Sequence, residues 1–169
     1  TAGTLYLARS GSDLVCIHTG LTNLLALEAW RAGILPELGV YKEFKREVTY
    51  GESRFDLEFS VGDRSCLAEV KCVTLVREGL ALFPDAPSER GRRHLMDLAR
   101  RAAEGLEAAA IFVIQHPGGR RFVPNVEEDP FFARVLRAAA DAGVKVMALR
   151  CKVGVEAVEI AERVPVEGE

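Results

Sequence analysis

Asp56, Glu69 and Lys71 are the residues of this 169-residue chain whose types and spacing could do chemistry. Two hard carboxylates suit a divalent cation such as Mg2+, which takes one or two protein carboxylates and keeps several waters. Such a cation lowers the pKa of bound water and offsets charge on a reacting phosphate. Lys71 lies two residues beyond Glu69, so on a strand both side chains leave the same face. An ammonium there can position water or stabilise developing charge. The pattern points to metal-dependent phosphodiester chemistry, with Asp56, Glu69 and Lys71 catalytic. The competing reading is a solvated sheet face carrying ordinary charges.

Two strands must hold these groups. Phe55, Leu57, Phe59 and Val61 mark one apolar face, with Arg54, Asp56, Glu58 and Ser60 opposite. The next run repeats the alternation, with Cys66, Ala68, Val70 and Cys72 apolar and Glu69 and Lys71 opposite. Gly62-Asp63 suits a two-residue hairpin turn. That turn sets Asp56 directly opposite Glu69, with Cβ atoms roughly 4.5–5.5 Å apart and the carboxylates repelling. Bound Mg2+ or Mn2+ would remove the penalty. Lys42 to Tyr50 reads as a third strand, turned at Gly51-Glu52. A two-residue turn brings Glu47 to face Asp56 as a third metal carboxylate; a three-residue turn sends it to the other face.

Composition sets the class. Hydrophobic residues make up 49%, and no apolar run approaches the roughly 20 residues of a membrane helix, so a soluble single domain with a real core is expected. Cys16, Cys66, Cys72 and Cys151 show no CxxC spacing, which speaks against zinc and for buried, reduced thiols in the cytoplasm. The net charge of −3 does not advertise a nucleic-acid binder. Yet Arg90, Arg92, Arg93, Arg100 and Arg101 fall together against Glu89 and Asp97, and a local basic patch can bind phosphate on an acidic protein. Arg90 and Arg93, one turn apart, are the phosphate candidates, set against an arginine-rich face that only keeps the helix soluble. The turn carrying Arg120 and Arg121 could also touch phosphate, or be a solvated hairpin. His94 sits on the arginine-rich helix one residue before core Leu95, where a boundary position explains it as well as substrate contact does; His18, His116 and Trp30 read as structural. Thr1-Ala2-Gly3 looks like entry in mid-protein, although a processed initiator methionine gives the same start.

The remaining order is a strand-like run from Thr4 to Ala8, a strand Leu14 to Ile17, and a helix from Thr22 to Arg31 stopped by Gly33 and Pro36. After the meander come a loop from Val76 to Pro87 and a helix capped by Ser88. A buried strand from Ala108 to Gln115 follows. A helix opened by Asp129-Pro130 and strands Val144 to Arg150 and Val155 to Ile160 close the chain. This predicts an α/β fold, a mixed sheet flanked by helices with a restriction-endonuclease-like core. Residues 1–40 supply the leading strand and helix, and 41–169 the nuclease-like domain.

Several strings carry a resemblance: Glu47-Val48-x-Tyr50-Gly51, Arg54-x-Asp56, Glu69-Val70-Lys71-x-Val73-Thr74-Leu75, Phe83-Pro84-Asp85-Ala86, Glu89-Arg90-Gly91 and His94-Leu95. Together they resemble the sugar fermentation stimulation protein A family. The resemblance implies an amino-terminal OB-fold domain, which this chain does not include, joined to a PD-(D/E)xK nuclease-like domain. It implies Asp56, Glu69 and Lys71 as the nuclease-type positions, with Glu47, Arg54, Thr74, Asp85, Glu89 and Arg90 around them. Family members are described as non-specific DNA-binding proteins with a suggested role in sugar, especially maltose, metabolism. The expected partner is DNA, contacted by Arg54, Arg90, Arg93 and Arg120, with no membrane and room for a homo-oligomer. Two classes stay open: a Mg2+-dependent nuclease and a non-catalytic DNA-binding regulator.

Overall fold

Alternating apolar and polar residues, punctuated by glycine, set the strands of this computed structural model, which describes residues 5–167. Leu7–Ser10 (β1) and Asp13–Cys16 (β2) form an antiparallel pair. Of the strand-like run expected there, Thr4 lies outside the described residues, as does the Thr1-Ala2-Gly3 opening. Thr22–Arg31 (α1) buries Leu25, Ala26, Leu27 and Ala29. Glu43–Tyr50 (β3), Ser53–Val61 (β4) and Arg64–Val73 (β5) make the meander. Both turns have two residues, pairing Tyr50 with Ser53 and Val61 with Arg64. Gly51 and Gly62 sit at φ of 62° and 55°, left-handed backbone that glycine adopts at little cost.

Leu75–Arg77 (β6) and Leu80–Phe83 (β7) come next. Glu89–Ala103 (α2) begins at Ser88, whose Oγ accepts the Gly91 N–H at 3.0 Å. Glu107–Ile114 (β8) and Arg121–Pro124 (β9) precede Pro130–Asp141 (α3), capped by Asp129 accepting from Phe132 N at 2.8 Å. Lys145–Val153 (β10) and Val158–Val164 (β11) end the fold. The last strand starts later than Val155 because Gly154 donates to the Ala157 carbonyl at 2.8 Å and closes a turn there.

The expected loop from Val76 to Pro87 is corrected. β6 and β7 form a hairpin, and β9 joins β7 in parallel to make a second, three-stranded sheet. These strands are short and crowded by Gly79, Pro84 and Pro87, which hides them locally. They form because Ala81 and Phe122 are fully buried beneath the helices, and strand preference follows packing more than residue type.

The main sheet has the order β11-β10-β8-β5-β4-β3, with β5, β8 and β10 parallel. α1 packs on one face, where Leu25, Leu35 and Leu38 share a core with Leu57, Phe59, Val70 and Ile111. α2 and α3 cover the other, where Leu95, Leu98, Phe132 and Leu136 meet Phe55, Leu67 and Phe112. β8, buried along nearly all its length between these layers, is the central strand expected from its continuous apolar run. This is an α/β fold with a mixed sheet flanked by helices. All four cysteines are free. Among the described residues no helix is long and apolar enough to cross a membrane.

Candidate metal centre and phosphate cleft

The β4–β5 ladder runs from Val61↔Arg64 to Leu57↔Ala68 and stops there. Strict alternation would put Phe55 beside Leu57 and Phe59. Instead Phe55 packs under α2 while Leu57 and Phe59 pack under α1, so the backbone turns over at Asp56. The strands part, and Asp56 Oδ2 accepts the Val70 N–H at 2.8 Å. The expectation of an unbroken ladder with Asp56 squarely opposite Glu69 is corrected on this point. The two acids share one cleft instead, at the break.

Glu47 faces the same break from β3. The pairs Arg46↔Leu57 and Val48↔Phe55 flank it in the register that a two-residue turn dictates. Glu47 itself has a φ of 55°, unusual for a residue with a Cβ. Its carboxylate pairs with Arg54 Nη2 at 2.9 Å, both side chains being 65% exposed. Glu47 thus lines the same cleft as Asp56 and Glu69, with its carboxylate paired to Arg54. Among the described residues no three His, Cys, Asp or Glu side chains form a ready metal cage.

Glu69 is 3% exposed. Its Oε1 accepts from Lys71 Nζ at 2.5 Å and also contacts His94 Nδ1 on α2, while Lys71 Nζ lies 3.3 Å from that nitrogen. Its other oxygen, Oε2, is buried with no hydrogen-bond partner. Burial works against the Glu69 charge, but His94 and Lys71 outweigh it and hold the carboxyl below its usual range. Asp56 goes the other way. Burial, then the neighbouring Glu69 charge, push its carboxyl up, against weaker help from Val70 N–H, Lys71 and Asn23 of α1.

Around this pair lies a cleft of about 870 Å3. The β3–β4 turn at Gly51, Glu52 and Ser53 forms one wall. Arg90, Arg93, Asp97, Arg100 and Arg101 of α2 form the other, with Arg54, Asp56, Glu69 and His94 between. Arg54, Arg90 and Arg93 thus share the cleft with the acids, as their choice for phosphate contact requires. Arg120 does not line it. It borders a separate depression with Glu78, Gly79 and Arg121, because the chain from β8 leads to the second sheet. Arg92 is also diverted, bonding both oxygens of buried Asp129 at 2.8 Å.

Asn23 and Asp97 carry no signal in the sequence as site residues, while His94, open there between a boundary position and substrate contact, lines the cleft. His94 precedes core Leu95 on an amphipathic helix, and nothing local distinguishes it from a boundary residue; only its contact with β5 does.

The family model described as "Sugar fermentation stimulation protein RE domain" (SfsA) matches residues 20–157. A sugar fermentation stimulation protein homolog of Desulforamulus reducens is 42% identical over 163 residues, covering 96% of this chain and 68% of its own length. One from Chloroflexus aurantiacus is 44% identical, covering 91% of this chain and 60% of its own length. The solved structure of Pyrococcus furiosus SfsA in complex with Ca2+ superposes with a TM-score of 0.88 at 29% identity, covering 99% of this chain and 75% of the other. The likeness gives this chain a restriction-endonuclease-like core. With a family match over most of its length and relatives above 40% identity, the chain belongs to the sugar fermentation stimulation protein family.

Proposed function

We propose that this domain binds DNA without sequence preference and holds Mg2+ or Mn2+ between Asp56 and Glu69, with phosphodiester hydrolysis as its reaction. The observation that carries the reading is the buried, unpartnered Oε2 of Glu69 beside a second carboxylate. Buried polar atoms in native proteins have partners, and an orphan asks for one. An oxygen-only pair fits a hard divalent cation that completes its shell with water and phosphate. The Ca2+ complex of the Pyrococcus furiosus protein, a relative with the same fold, supports the same ion class here.

A bound cation supplies Lewis-acid chemistry, polarising water and phosphate oxygens. The chain supplies the rest. Val70 N–H and Asn23 hold Asp56; Lys71 and His94 hold Glu69. Arg54, Arg90 and Arg93 pair with phosphates along the cleft, which fixes a backbone without reading bases. Lys71 provides positive charge next to the reacting phosphate. DNA in the cytoplasm is the partner this arrangement suits.

One observation favours a second reading. Lys71 Nζ is already engaged by Glu69, which suits a non-catalytic DNA-binding protein that keeps the fold, such as a regulator of sugar metabolism. Nicking of supercoiled plasmid with Mg2+ or Mn2+ decides between them. Hydrolysis predicts nicking by the wild type and its loss in Asp56→Asn and Lys71→Ala, with Lys71→Ala still binding the cation. No nicking with either ion leaves the binding protein.

A further inference from the structure

Two donors meet one oxygen of Glu69. Lys71 Nζ stands 2.5 Å from Oε1, and His94 Nδ1 touches the same atom. The neighbouring Oε2 is buried and receives nothing. A lone pair on Nδ1 would repel the carboxylate, so the contact requires Nδ1 to carry the hydrogen and donate it. His94 comes from α2 and Lys71 from β5, so the grip spans helix and strand. Its side chain is 15% exposed and borders the cleft.

We propose that His94 is a positioning residue that makes Glu69 a one-oxygen ligand. The inference rests on the metal reading above. With His94 in place, Oε1 is fully occupied, the carboxylate plane is fixed, and Oε2 is left to the cation. Without it, Lys71 becomes the only partner and can lie across both oxygens, drawing Oε2 away from Asp56. His94 then acts through Glu69, as partners behind metal ligands do. A histidine that only filled the gap between α2 and β5 would not need a donor on this oxygen.

Calorimetric titration of Mn2+ into the 169-residue chain tests this with wild type, His94→Ala and His94→Asn. Loss of a partner behind a ligand costs about 10–100-fold in metal affinity, and that fall is expected for His94→Ala. Asparagine places an amide N–H near the position of Nδ1, so His94→Asn should bind Mn2+ within a few-fold of wild type. Melting curves without metal show whether each variant folds; should His94→Ala fail, His94→Leu, a similar volume without a donor, replaces it. A His94→Ala protein that binds Mn2+ as wild type does overturns the proposal, and so does His94→Asn as weak as the alanine variant. In a Glu69→Gln background His94→Ala should cause no further loss, and an additive loss also overturns it. If the wild type takes up no Mn2+, the metal reading falls and this inference with it. If the wild type binds and His94→Ala binds equally, only this inference falls.

Discussion

Asp56 accepts the backbone N–H of Val70 at 2.8 Å, in a stretch where the β4–β5 ladder has already ended. A side chain thus satisfies a group that strand pairing leaves free, as a buried donor requires. The same bond fixes the carboxylate at the point where the two strands diverge. Fold and site meet in this one contact, since the divergence opens the cleft and the bond aims an acid into it.

Asp56 and Glu69 should affect stability with opposite signs. The Asp56 pKa is raised by burial and by Glu69, so its favourable contribution is present below the ordinary carboxylate pKa and is lost as pH rises through the folded value. Asp56→Asn keeps an oxygen for Val70 N–H and removes the charge. It should melt higher than wild type at neutral pH without metal, and like wild type in acid. Glu69 is held low, so its contribution is present above the ordinary pKa and is lost as pH falls through the folded value. Glu69→Gln leaves Lys71 without its carboxylate and should cost about 1–3 kcal/mol near neutral pH. Melting curves in chelator across pH check both; equal shifts of the same sign would falsify the assignment.

Metal and DNA should bind cooperatively. The cleft carries Arg54, Arg90, Arg93, Arg100 and Arg101 against Glu47, Glu52, Asp56, Glu69 and Asp97, a balance near neutral that gives a polyanion little attraction. A divalent cation tips it positive. DNA affinity measured with and without Mn2+ should therefore rise with the ion. Asp56→Asn should reverse order with conditions: tighter than wild type in chelator, weaker with Mn2+. Identical affinities in chelator and Mn2+ would show that the ion and the DNA do not share the cleft.

The meander was legible because its turns are short. Gly51 and Gly62 fix two-residue loops, and with them the registers that bring Glu47, Asp56 and Glu69 to one region. The break at Asp56 was not legible, because alternation runs on past it in the residue types: Phe55 is apolar like Leu57, and only the position of α2 turns it to the other face. The second sheet escaped for a related reason. Its strands are three or four residues long and owe their pairing to what lies above them. Arg90 and Arg93 stand out in the sequence by type and helical spacing, and Arg54 by its place two residues before Asp56 on a strand. Arg92, with the same credentials, is held by Asp129 thirty-seven residues away, a pairing no local pattern reveals.

Glu107 should govern the acid limb of stability. Its carboxylate takes Lys145 Nζ at 2.5 Å and Arg64 Nη2 at 2.6 Å at the far end of the sheet. Lys145 above all, with Arg64, lowers its pKa to about 2. Its contribution is complete above the ordinary carboxylate pKa and is lost as pH falls toward the folded value. Glu107→Gln should flatten unfolding measured between about pH 5 and 2. The side chain is 30% exposed, so water screens the pair and the cost at neutral pH should stay near 1 kcal/mol. An unchanged acid limb would mean the three groups form no effective network.

Salt dependence separates a phosphate-binding helix from a merely solvated one. Arg90 and Arg93 line the cleft, whereas Arg120 and Arg121 border another depression. If phosphates run along α2 toward Asp56, each neutralised phosphate of duplex DNA contributes about −0.9 to the slope of log affinity against log salt. Arg90→Ala combined with Arg93→Ala should then weaken binding about equally on unrelated sequences and make the slope shallower by about 2. Arg120→Ala combined with Arg121→Ala removes the same charge from the protein, so it controls for net charge alone, and it should leave the slope nearly unchanged. Equal effects from the two pairs would mean that DNA responds to overall charge rather than to this cleft. A larger effect from Arg120 and Arg121 would move the DNA path to the second sheet and detach it from Asp56 and Glu69.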